Sequence, residues 1–120
     1  MRHLKATKKF KRTEEERRRL LRDLARGLIL DKQITTFTTR AKYFRPFFER
    51  LVTLTKRALQ NNDKVLAYRR LNVFFDPATS KEMIENVVPK LMDRNGGYTQ
   101  QYKLFIEFST LDRSVVRITQ

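Results

Sequence analysis

The chain contains no cysteine, so neither a disulfide framework nor a thiolate metal site can be built. Histidine is nearly as scarce: the single one, His3, has no neighbouring acid to orient it as a general base. No phosphate-loop or dinucleotide-binding glycine pattern occurs. The carboxylates that cluster, Glu14, Glu15 and Glu16, point around a helix and serve its cap instead of converging on a metal. These absences argue against an enzyme and against a cofactor, a metal or a small-molecule substrate, and they leave a binding protein. No apolar run approaches a membrane span and no signal-peptide core follows Met1, so no membrane partner and a cytoplasmic location are expected.

Positive charge is what the chain has in excess. Lys and Arg number 27 against 13 acids, a formal net charge of +14 on 120 residues, and such an imbalance on a small body points to a polyanion. A hydrophobic share of 40% with 11% aromatic still suffices for one folded core. The surplus is unevenly placed. Residues 1 to 12 carry Arg2, Lys5, Lys8, Lys9, Lys11 and Arg12 with no acid, and residues 32 to 75 set ten bases against two acids. Residues 13 to 31 and 76 to 120 are each neutral in sum. The expected organisation is therefore a basic N-terminal extension over 1–12 and a single globular α+β domain over 13–120.

Along that domain, Thr13 followed by Glu16 forms a capping box, and Leu20, Leu21, Leu24 and Leu28 give a first helix, ending at Asp31, its buried stripe. Arg18, Arg22 and Arg26 line another face, either gripping phosphates or standing solvated beside the glutamates. Gly27 suggests a close backbone approach, since it weakens a helix otherwise. Gln33 to Phe37 is short and β-branched, a strand. Thr38 or Thr39 can then cap a long helix whose Phe44, Phe47, Phe48, Leu51, Val52, Leu54 and Leu59 face a core, while Arg40, Lys42, Arg45, Arg50, Lys56 and Arg57 lie opposite. Pro46 either bends that helix or sits in its first turn. The aromatic cluster Tyr43, Phe44, Phe47 and Phe48 fits the core stripe better than a base-stacking role.

Asp63 caps a third helix that runs toward Phe75 with Arg69 and Arg70 outward, and Asp76-Pro77 breaks it. Thr79 with Glu82 opens a fourth, whose Met83, Ile84, Val87, Val88, Leu91 and Met92 face inward until Pro89 disturbs the last turn. Gly96-Gly97 allows a tight turn or a phosphate cradle. Thr99 to Phe108 alternates, with Tyr102, Leu104, Ile106 and Phe108 on the buried side. Leu111 to Ser114 turns, and Val115 to Thr119 is the last strand.

Several of these segments together resemble one family. Met1-Arg2-His3 with Lys5 and Arg12, Ile34-Thr35-Thr36, Ala41-Lys42 with Arg45, Leu51 with Thr53-Leu54 and Lys56, and Arg94-Asn95-Gly96-Gly97-Tyr98-Thr99 are similar, in order and nearly end to end, to the bacterial large-subunit ribosomal protein L-seventeen family. The opening tripeptide and Gly-Gly-Tyr-Thr are the most specific parts. The resemblance implies a small mixed three-stranded sheet packed with about four helices, and a basic extended tail that threads into large-subunit ribosomal RNA. It also implies neighbouring ribosomal proteins near the nascent-chain exit. The expected RNA contacts are Arg2, His3, Lys5, Lys8, Lys9, Lys11 and Arg12 on the tail, Arg18, Arg22 and Arg26 on the first helix, and Arg40, Lys42 and Arg45 on the second. Arg69, Arg70, Arg94, Gly96, Gly97 and Tyr98 complete the set. Recognition should rest on RNA shape and 2′-hydroxyls, with few base-edge contacts. A DNA-binding protein and a binder of anionic membranes are the competing readings of the same charge.

Overall fold

A computed structural model describes residues 10–105 and 112–119. Helix α1 spans Glu14–Asp31 and starts as its sequence requires: the Thr13 hydroxyl accepts the Glu16 amide at 3.2 Å, and three glutamates occupy the first turn. It stops at Lys32, which turns left-handed at φ 67 and donates its N–H to the Leu28 carbonyl at 2.9 Å. Only its second half is docked. Ala25, Leu28 and Ile29 are buried, with Leu21 and Leu24 packed partly against them. A Cβ added at Gly27 would lie 3.2 Å from Ile34 Cγ2, so the close neighbour is a side chain of the adjoining strand and not the backbone that the sequence suggested.

Strand β1, Gln33–Phe37, passes directly into α2, Thr38–Gln60. Helix α2 runs unbroken through Pro46, which resolves the two sequence alternatives in favour of one long helix. A proline in a helix interior costs about 3 kcal/mol. Burial of Phe44 and Phe48, both at 0% exposure on either side of it, returns roughly 1.5–3 kcal/mol each, so packing outweighs the lost hydrogen bond. Phe37, not a threonine, occupies the cap position. Thr38 is buried instead, its hydroxyl 2.8 Å from both the Asp112 carboxylate and the Ser114 hydroxyl, which ties the start of α2 to the third strand.

Helix α3, Lys64–Leu71, is capped by the Asp63 side chain, which accepts the Leu66 amide at 3.0 Å. It is shorter than periodicity predicts. The N–H groups of Phe74 and Phe75 both return to the Leu71 carbonyl, and the turn so formed sets the Phe74 ring edge-on to Phe47. Helix α4, Pro77–Glu82, begins earlier than the Thr79 and Glu82 pair suggests, because Pro77 fits a first helical turn. Asp76 takes the Thr79 hydroxyl at 2.6 Å, and Glu82 is released to bond Lys32 and Asn86. Beyond it the chain widens into one π turn over Met83–Val87 and tightens to 3-10 over Val88–Leu91. Pro89 has no N–H to continue an α-helical ladder, which accounts for the irregular turn the sequence predicts there.

Strands β2, Thr99–Leu104, and β3, Arg113–Ile118, complete a three-stranded sheet in the order β1-β3-β2. The α+β class stands, but both pairings are antiparallel where a mixed sheet was expected. β3 opens at Arg113, inside the expected turn. Ile106, Glu107 and Phe108, assigned to β2 by their alternation, lie outside the described residues. The register also reverses the faces expected for β2. Gln101 pairs with Val116 and Lys103 with Ser114, both buried residues, so the helix-facing row is Thr99, Gln101 and Lys103. Tyr102 and Leu104 lie on the opposite face, with Tyr102 exposed. The physical reason is the central strand: β3 buries Ser114 and Val116 against α1 and α2, and pairing imposes that parity on its neighbours. Leu28, Phe44, Phe48, Leu71, Ile84 and Val116 draw the first three helices, the π turn that follows α4 and the sheet into one shared core.

Candidate nucleic-acid interface

The two cationic blocks of the sequence meet at α2. Phe10 places its ring edge-on to Tyr43, 5.2 Å between centroids. The Arg12 carbonyl accepts a bond from the Arg17 guanidinium at 2.6 Å. Lys11 and Arg12 therefore leave the body beside the turn of α2 that bears Arg40 and Lys42. Lys42 is exposed and Arg40 half-buried, and neither has an acidic partner among the described residues. Arg2, His3, Lys5, Lys8 and Lys9 lie outside the described residues.

The α1 line is differently disposed. Arg18 pairs with Glu14 at 2.6 Å and Arg26 with Asp76 at 3.4 Å, while Arg22 stands exposed between them. The Asp76 carboxyl is held below its ordinary range first by the Thr79 hydroxyl; desolvation opposes this, and its own backbone amide and the Arg26 charge add smaller lowering effects. These pairs are solvent-exposed and weakly held, so a phosphate could displace either carboxylate. Arg69 and Arg70 are exposed in the last turn of α3.

The segment Arg94 to Thr99 is organised by α2. Arg45 donates from Nε to the Thr99 hydroxyl at 3.0 Å and from Nη2 to the Thr99 carbonyl at 3.1 Å. Glu49 accepts the Thr99 amide and hydroxyl, both at 3.3 Å. One turn or two further on, Lys56 turns inward. It is 8% exposed, donates to the Arg94 carbonyl, and sits 5.4 Å from the Tyr98 ring centre. From the other side Thr119 donates its amide to the Tyr98 carbonyl and its hydroxyl to the Gly97 carbonyl. Tyr98 is consequently buried at 4%, and its ring faces protein, not a ligand. Arg45 and Lys56, expected on the cationic stripe, are committed to this clamp. Gly97 has φ 63, whereas Gly96 is exposed, and a Cβ added to it would meet nothing within 4 Å.

Sequence reasoning missed the open face of the sheet. Arg113 and Arg117 alternate outward along β3, and Arg117 lies 4.9 Å over the Tyr102 ring. Arg40 and Arg113 flank the Phe37 ring at 5.2 and 5.7 Å. A segmental charge sum hides these arginines because acids elsewhere in residues 76 to 120 cancel them. The period-2 spacing of Arg113, Val115 and Arg117 was the available signal.

Among the described residues no group of three or more His, Cys, Asp or Glu is placed to hold a metal, and no helix is long and apolar enough to cross a membrane. Fold and surface together define a small, strongly basic α+β protein whose polar side chains either clamp loops or present cations. Residues 20–117 match the model of the family described as ribosomal protein L17. A large ribosomal subunit protein bL17 of Persephonella marina is 42% identical over 106 residues, covering 87% of this chain and 82% of that protein. Those of a Sulfurihydrogenibium species and a Hydrogenobaculum species are 38% and 39% identical over 104 residues, again covering 87% of this chain and 83% and 85% of theirs. The chain belongs to the ribosomal protein L17 family, whose members are structural and non-enzymatic.

Proposed function

We propose that this protein is a structural constituent of the large ribosomal subunit in the bacterial cytoplasm, where it binds large-subunit ribosomal RNA and supports subunit assembly and translation. The observation that carries the reading is the meeting of the basic extension with the cationic start of α2, through Phe10 on Tyr43. In the bound state residues 1–12 lie along RNA backbone, with Arg2, His3, Lys5, Lys8, Lys9, Lys11 and Arg12 neutralising phosphates. Arg40 and Lys42 continue the same path onto the globular body formed by residues 13–120. Arg22 contributes directly, Arg18 and Arg26 by exchanging their surface carboxylates for phosphate. Arg69, Arg70 and the Arg94 side chain are further exposed cations available to the same polymer. Neighbouring large-subunit proteins near the nascent-chain exit complete its surroundings.

Charge neutralisation supplies the affinity, and the packed helices supply the rigid geometry that distinguishes folded RNA from duplex DNA. A membrane role is disfavoured because Phe44, Phe48, Leu51 and Val52, the apolar stripe of the basic helix, are claimed by the core. Sedimentation of a tagged copy through a sucrose gradient tests the proposal. It is expected to travel with large subunits; a copy that stays with free protein while subunits are intact contradicts it. Competition between large-subunit RNA and duplex DNA separates the DNA reading, which requires equal affinities.

A further inference from the structure

We infer that the open face of the sheet is a second RNA surface, one that captures unpaired nucleotides by stacking their bases on Phe37 and Tyr102 under arginine control. The inference rests on the ribosomal reading above and extends it from backbone neutralisation to base capture. Three observations carry it. The face has no helix on it among the described residues, and it exposes two aromatic rings, Phe37 at 38% and Tyr102 at 46%. Each ring is already attended by guanidinium groups, Arg40 and Arg113 at Phe37 and Arg117 at Tyr102. None of the nine strand residues on this face is acidic, as the pairing of Phe37 with Arg113, Tyr102 with Val115 and Gln100 with Arg117 makes plain.

Aromatic rings on a cationic sheet suit single-stranded nucleic acid, because every base has a face to stack and every nucleotide has a phosphate to neutralise. Exposed aromatics and arginines also suit a protein partner, but here the arginines run along the central strand with no acid on the face, an uncompensated positive row that favours a polyanion. Polar detail is consistent with ligand reading. The Tyr102 hydroxyl donates to the Gln100 side-chain oxygen at 2.9 Å and receives Arg117 at 3.3 Å, which fixes ring and guanidinium in one orientation. The rings lie two strands and two residues apart, about 12 Å by ordinary sheet spacing, so each serves a different nucleotide.

A photoreactive benzophenone side chain at position 102 of the full chain, incorporated into large subunits in cells, tests the site directly. Crosslinking to ribosomal RNA is expected. Crosslinking only to a neighbouring protein, or none in particles that contain the chain, overturns the inference. In solution, Tyr102→Ala should weaken binding to large-subunit RNA by about 5-fold or more while Tyr102→Phe retains it. Arg113→Gln with Arg117→Gln should lower the salt slope by about 1.4. Unchanged affinity and slope in variants with native circular dichroism overturn it. These failures differ from failure of the ribosomal reading, in which the unmodified chain itself does not bind the RNA or join the subunit.

Discussion

Replacing each glycine of the Gly96-Gly97 pair by alanine should move stability in opposite directions. Gly97 adopts φ 63, in the left-handed region, and a Cβ there would meet nothing closer than Arg94 Nη2 at 4.0 Å. Its penalty is thus conformational and not steric, about 1–2 kcal/mol for an L-residue. Gly96 has neither a positive φ nor a neighbour within 4 Å. Both substitutions narrow the unfolded ensemble and so gain about 0.4–1 kcal/mol. That gain cancels in the comparison, leaving a gap of about 1–2 kcal/mol with Gly96→Ala the more stable. At the urea dependence usual for this size the two midpoints separate by roughly half to one molar. Equilibrium urea unfolding followed by circular dichroism reads the gap. Equal destabilisation by both variants would refute the reasoning. The same proteins distinguish a turn from a phosphate cradle, because loss of RNA affinity in a fully stable Gly96→Ala variant assigns that glycine to the ligand.

Other perturbations test the clamp and the helices. Lys56→Met keeps the apolar stem but removes the ammonium that holds the Arg94 carbonyl, and should cost about 1.5–3 kcal/mol in urea unfolding; wild-type stability would show that the clamp is idle. Pro46→Ala restores a backbone donor at an exposed position of α2 and should stabilise by about 1–3 kcal/mol, whereas destabilisation would mean that the proline shapes the helix. Glu82 is held below its ordinary pKa of 4.5, first by the Lys32 ammonium and then by the Asn86 amide. A depressed folded pKa contributes stability that is present above pH 4.5 and lost as pH falls through the folded value. Glu82→Gln should therefore flatten the acid limb of the stability curve below about pH 4.5; a limb parallel to wild type contradicts the assignment.

Helices were legible where a local signal governs them. Thr13 and Asp63 cap as their side chains demand, and the stripe from Phe44 to Val52 is buried as its period requires. Asp76-Pro77 was legible as a break but not as the start of the next helix, where Pro77 suits the first turn and Asp76 takes the Thr79 hydroxyl, leaving Glu82 to Lys32. The face of β2 was illegible for a similar reason. Tyr102 and Leu104 alternate convincingly, yet parity is set by β3 and by the hold of Arg45 and Glu49 on Thr99.

The candidate site divides along the same line. Cationic composition marked the tail and α2, but composition cannot tell a clamping cation from a free one, so Arg45 and Lys56 fall on the expected cationic stripe although the fold commits them to the clamp. Nor does a segmental sum show that Arg113 joins Arg40 at the Phe37 ring. That grouping exists only once β1 and β3 are paired.

The central claim is that the excess cations, led by the extension, neutralise RNA phosphates. Glutamine at Arg2, Lys5, Lys8, Lys9, Lys11 and Arg12 together, with the fold left intact, tests it through binding to large-subunit RNA measured across a range of salt. Six lost contacts should reduce the slope of log affinity against log salt by about four to five units. A slope equal to that of the unmodified chain would contradict the account.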